Sequence, residues 1–105
     1  MARGDVVSDV QSIAAGANMD FQPGAGVEVM ITEVGSSEWN IGYPNIDVSL
    51  YNGTLASIVR KNGLIANSGI YGQPLKLLIT NTRYLRITNT SASTRNLSYC
   101  GVQTK

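Results

Sequence analysis

Ile79-Thr80-Asn81-Thr82-Arg83-Tyr84-Leu85-Arg86-Ile87-Thr88-Asn89-Thr90 carries Ile-Thr-Asn-Thr twice, at 79–82 and at 87–90. Leu75-Lys76-Leu77-Leu78 runs into the first copy. β-branched and apolar residues alternate with Thr, Asn and Arg, the period of a strand with one buried face. The stretch therefore predicts two strands back to back. A three-residue loop at Asn81-Thr82-Arg83 would pair Thr80 with Tyr84, Ile79 with Leu85 and Leu77 with Ile87. Leu75, Leu77, Ile79, Leu85 and Ile87 would then share a face, whereas a slip of one residue would flip every side chain.

The same alternation extends outward in both directions. Ile46, Val48 and Leu50 alternate with Asp47, Ser49 and Tyr51, and Asn52-Gly53 follows as a hairpin signal. A two-residue loop there pairs Leu50 with Leu55, Val48 with Ser57 and Ile46 with Val59. Residues 27–34 read as a strand with Val27, Val29 and Ile31 on one face, preceded by a turn at Gln22-Pro23-Gly24-Ala25-Gly26. Residues 95–103 make a last strand, with Leu97, Tyr99 and Gly101 opposite Ser98, Cys100 and Val102. Residues 10–15 suit a first short strand, and residues 1–9 an extended N-terminal arm. Asn62-Gly63 and Ser68-Gly69 mark further turns, with a short strand or bridging loop at 64–71. About seven or eight short strands and no amphipathic helix predict one all-β domain over 10–105, an antiparallel β-sandwich or jelly roll.

Composition narrows the chemistry. The 105 residues suit one core. Cys100 is the sole cysteine, so no disulfide can form within the chain. There is no histidine, which removes the commonest general base and metal ligand. The acids stand mostly in turns or on outward strand positions, and Glu28 and Glu33 lie on opposite faces of one strand, so no carboxylate pair is set up for hydrolysis. Gly24 and Gly26 precede a strand, not the helix that a phosphate-binding loop opens. No enzyme activity and no cofactor is expected. No apolar run approaches the roughly 18 residues that span a bilayer, and the N-terminus has no apolar stretch behind its charge. Synthesis in a cytoplasm is the expectation, with no membrane partner.

Charge is unevenly placed. Residues 1–53 carry seven acids and one base, a net of −6; residues 54–105 carry seven bases and no acid, a net of +7. Three readings stay open. Early and late strands neutralise one another inside a sandwich. An acidic face of one subunit meets a basic face of the next. Or the basic residues bind nucleic acid, which their scatter and the opposing acids argue against. Trp39, Tyr43, Tyr51 and Tyr71 suit core packing, a protein interface or a sugar-binding surface.

Several segments together resemble small virion proteins of tailed bacteriophages. They are Val-Ser-Asp-Val-Gln-Ser-Ile-Ala-Ala-Gly (7–16), the Gln-Pro-Gly turn (22–24), Val-Glu-Val-Met-Ile-Thr (27–32), Val-Ser-Leu-Tyr-Asn-Gly (48–53), the 79–91 segment and the closing Tyr-Cys-Gly-Val-Gln-Thr-Lys. The arrangement is similar to capsid cement, or decoration, proteins. That resemblance implies a non-enzymatic β-sandwich, a homotrimer on the capsid surface of the virion, and the major capsid protein as partner. It transfers no site residue. The residues themselves nominate Trp39, Tyr43, Arg60, Lys61, Arg83, Arg86 and Arg95 as interface positions. The alternatives are a carbohydrate- or receptor-binding module of a fibre and a tail or neck component.

Overall fold

The computed structural model describes residues 3–36, 46–61 and 72–105. Eight strands form in order: β1 (Val6–Ile13), β2 (Asn18–Phe21), β3 (Val29–Ser36), β4 (Ile46–Tyr51), β5 (Ala56–Lys61), β6 (Gly72–Ile79), β7 (Tyr84–Asn89) and β8 (Arg95–Gln103). They make two four-stranded antiparallel sheets, one ordered β1-β8-β3-β6 and the other β2-β7-β4-β5. Strands 1 and 8, 2 and 7, 3 and 6, and 4 and 5 pair in a nested series, the winding of a jelly roll. β1 lies against β2 and β7 against β8. One lateral edge of the sandwich is therefore β1 over β2, and β5 and β6 end their sheets on the other side.

The core lies between the sheets. Val29, Ile31, Ile79, Leu85, Ile87 and Leu97 have no exposed surface, and Met19, Val34, Ile46 and Val48 have almost none. Burying a side chain of this size contributes about 1.5–3 kcal/mol each. Phe21 of β2 stacks on Tyr99 of β8 with ring centroids 4.8 Å apart, joining the sheets near the β1/β2 edge. Burial raises the Tyr99 phenol above its ordinary 10.0, and the neighbouring Asp9 charge adds to the shift.

Four expectations need correction. The segment at 79–90 is two strands, but not a hairpin. β6 pairs with β3, and β7 pairs with β2 and β4. The chain crosses between sheets at residues 80–83, where the Thr80 N–H donates to the Arg83 carbonyl at 2.7 Å. Ile79, Leu85 and Ile87 still face one core, from opposite walls, and Leu77 is half-buried. Alternation reports which side is buried and says nothing of which strand lies alongside.

The Asn52-Gly53 hairpin does form, with a longer loop. Tyr51 pairs with Ala56 and Leu50 with Ser57, so Leu55 belongs to the turn and is 71% exposed. Asn52 decides this. Its side-chain oxygen accepts the Thr54 and Leu55 N–H groups at 3.0 and 2.7 Å, and its own N–H donates to the Leu55 carbonyl. Gly53 supplies φ +95° there, and a Cβ would meet nothing within 4 Å. Gly53→Ala should therefore cost about 1 kcal/mol through backbone conformation alone, read as a lowered denaturation midpoint with an unchanged slope.

The second half of the expected arm at 1–9, from Val6 on, belongs to a strand. Val6–Ile13 pairs with β8 along its whole length, and Val7 is buried. Its polar look arises because an edge strand buries little on its outer side. Finally, the strand expected at 27–34 starts at Val29, and a bulge between Ile31 and Glu33 reverses its facing, so that Val34 turns inward. The turn ahead of it is present, with the Val27 N–H donating to the Gly24 carbonyl. The turns at 62–63 and 68–69 and the segment 64–71 lie outside the described residues.

Candidate interaction surfaces

The residues with chemistry do not converge. Among the described residues no group of three His, Cys, Asp or Glu side chains is placed to hold a metal ion. Among them no helix is long and apolar enough to cross a membrane, which says nothing of a β-barrel. Cys100 is half-buried on β8, opposite Ser8.

The outer face of the β1-β8-β3-β6 sheet is where the side chains depart from the usual polar exterior of a sandwich. Val6 pairs with Val102, Val102 with Met30, and Met30 with Leu78. These four share one row across all four strands, about 14 Å at the usual strand spacing. Val6 is 69%, Leu78 48% and Val102 37% exposed. Val10 adds a further exposed group on β1. The alternation of each strand was visible in sequence, but the row exists only through the register of non-consecutive strands.

The outer face of the other sheet is polar and aromatic. The Arg86 guanidinium donates through Nε and Nη2 to both Asp20 oxygens at 2.8 Å and lies 3.7 Å from the Tyr51 ring centroid. Tyr84 meets Tyr51 edge-on, centroids 5.5 Å apart. The hydrogen bond to Asp20 holds the Arg86 pKa above its already high ordinary value. Close by, a hollow of about 210 Å³ is lined by Leu50, Tyr51, Asn52, Leu55, Ala56 and Arg83 among others.

The nominated interface residues scatter. Trp39 and Tyr43 lie outside the described residues. Arg60 and Lys61 end β5, opposite Val48 and Asp47. Arg83 is exposed on the corner between sheets. Arg86 is committed to Asp20 of its own chain, and Lys105 approaches Glu28 at 3.8 Å. Arg95 opens β8 opposite Ile13 and is half-buried. Two early acids thus meet two late bases inside one subunit, as the local-neutralisation reading expects. No known protein-family model matches this chain, and no curated protein matches it.

Proposed function

We propose that the chain is a non-enzymatic structural protein of a bacteriophage particle, a cement or decoration protein that stabilises the head by bridging neighbouring capsid subunits. The carrying observation is the apolar row Val6–Val102–Met30–Leu78 on a sheet face that a free-standing sandwich would keep polar. Contact across such a face needs no reacting group, and its effect multiplies through the symmetry of a lattice. The jelly-roll winding is compatible, since viral and lectin domains both use it, and for that reason it does not choose between them. The major capsid protein is the partner and the capsid surface the location in this reading.

Co-sedimentation with purified empty heads tests it. Leu78→Lys places a charge in the row at a position already 48% exposed, so folding should survive. Binding to heads should weaken at least about tenfold, the size expected from losing one buried apolar anchor. Failure of the wild-type chain to bind heads, or undiminished binding by Leu78→Lys, would sink the reading. The Tyr51–Tyr84 pair beside the hollow favours a second reading, a saccharide-binding module of a fibre. Glycan binding abolished by Tyr51→Ala, without any affinity for heads, would put that reading first.

A further inference from the structure

The turn between β4 and β5 and the corner that leads into β7 enclose the hollow of about 210 Å³. Leu50, Leu55 and Ala56 give it an apolar wall, Arg83 and Asn52 stand at its rim, and no acid among the described residues lines it. Leu50 packs half-buried against the core, so the wall rests on ordered structure. Leu55 is 71% exposed on the turn. A single exposed leucine is ordinary in itself. This one is held in place, because the Asn52 side chain accepts its N–H at 2.7 Å and builds the turn that presents it.

The polar groups at the rim are donors. The Asn52 side-chain oxygen accepts the Thr54 and Leu55 N–H groups, which leaves the amide nitrogen with no partner among the described residues. The Arg83 backbone N–H donates to the Thr80 hydroxyl, but its guanidinium pairs with no carboxylate among the described residues. Arg86 differs, since both Asp20 oxygens hold it. A cation and an amide donor beside an apolar wall complement a carboxylate joined to an apolar group. The volume lies below the roughly 300–1,000 Å³ of a small-molecule or cofactor site, and suits a single side chain. A sugar ring fits less well, because Arg86 already lies over the Tyr51 ring at 3.7 Å.

We propose that this hollow is an anchor site for a segment of a partner protein that presents one apolar side chain beside a carboxylate. The side chain packs against Leu50 and Leu55, and the carboxylate accepts from the Arg83 guanidinium and the Asn52 amide. Apolar burial supplies most of the affinity, and the charge selects which segments fit. The site belongs to the other sheet from the apolar row and does not depend on the capsid reading.

N-acetyl-L-leucine carries both features, its amide lacks the charge, and N-acetylglycine lacks the side chain. Titrated into the isotope-labelled full chain, N-acetyl-L-leucine should shift the NMR resonances of residues 50–57 and Arg83 and saturate in the millimolar range. N-acetylglycine should bind at least about tenfold more weakly. The amide should bind about fivefold more weakly, the most that an exposed ion pair usually contributes. Arg83→Gln should lower the affinity for N-acetyl-L-leucine to that for its amide and leave the amide's own affinity unchanged. Leu55→Ala, at an exposed turn position, should weaken acid and amide alike. No shift at the hollow up to the solubility limit of the probe overturns the proposal. So does equal binding of acid and amide, or a preference for the acid that Arg83→Gln retains. Methyl glucoside shifting these resonances where N-acetyl-L-leucine does not would overturn it in favour of the saccharide reading.

Discussion

Asn89→Ala should lose on the order of 3–5 kcal/mol of stability, the largest effect of any single polar substitution expected in the chain. Asn89 is wholly buried at the end of β7. Its amide nitrogen donates to the Ile13 carbonyl at 2.8 Å and to the Ser93 carbonyl at 2.9 Å. Its amide oxygen accepts the Ser91 N–H at 3.0 Å and the Ser91 hydroxyl at 2.6 Å. Its backbone exchanges further bonds with Gly16 and Ala17. One side chain thus ties the end of β1 in one sheet to β7 in the other and to the turn leading into β8. Truncation strands the buried Ile13 carbonyl, at about 1–3 kcal/mol for a group left unpaired, and removes the bonds to the Ser93 carbonyl and to Ser91, at about 1 kcal/mol each. Against a total of about 5–15 kcal/mol, that loss is a large share. Asn89→Asp should do no better, because it turns two donors into acceptors facing carbonyl oxygens. Ser91→Ala is the control and should cost only about 1 kcal/mol. Urea denaturation of the three variants checks the ranking; near-wild-type stability of Asn89→Ala would show that water replaces the amide freely.

Gly101→Ala should cost about 2–3 kcal/mol, near the upper end for overpacking, and Gly101→Val more. Gly101 sits in β8 between Val7 of β1 and Ile31 of β3. A Cβ there would run into the Met30 carbonyl oxygen and stand 3.0 Å from the Ile31 Cα. Those atoms are backbone of an interior strand, so no rotamer change makes room. The strand would have to shift just where its bulge between Ile31 and Glu33 turns Val34 into the core. Cys100→Ser, one residue away on the half-buried outward side, should by contrast stay within about 1 kcal/mol. Thermal melts compare the pair directly, and equal melting temperatures would remove the close approach from the account.

These two positions show where legibility ended. Period-two alternation carried Leu85 and Ile87 inward and, continued one step, would have put Asn89 on the same side. An asparagine on a core face has no partners visible in sequence, because Ile13 lies 76 residues away. Gly101 was legible as a member of the inward face with Leu97 and Tyr99, but its close neighbour Met30 comes from a strand far back in the chain. Leu55 misled for a local reason: Asn52 caps its own turn and lengthens the loop, which turns an apolar residue out to solvent. The candidate surfaces follow the same division. Arg83 and Arg86 stood out as bases, whereas Asp20 beside Arg86, and Val6 in line with Val102, Met30 and Leu78, required the register.

Sequence by itself determined the class of this protein: strands, their buried sides, the turns at 22–26 and 52–53, and an all-β sandwich. Those properties are local, set by side chains two residues apart facing the same way. Apart from the β4–β5 hairpin at Asn52-Gly53, tertiary structure alone decided which strands are neighbours. Of the six strand pairings among the described residues, only β4 with β5 joins consecutive strands. The apparent hairpin at 79–90 is instead a crossing from one sheet to the other, because either arrangement buries Ile79, Leu85 and Ile87 equally well. Choosing between them depends on what β3, β2 and β4 bring alongside, and that is settled by packing across the whole sandwich.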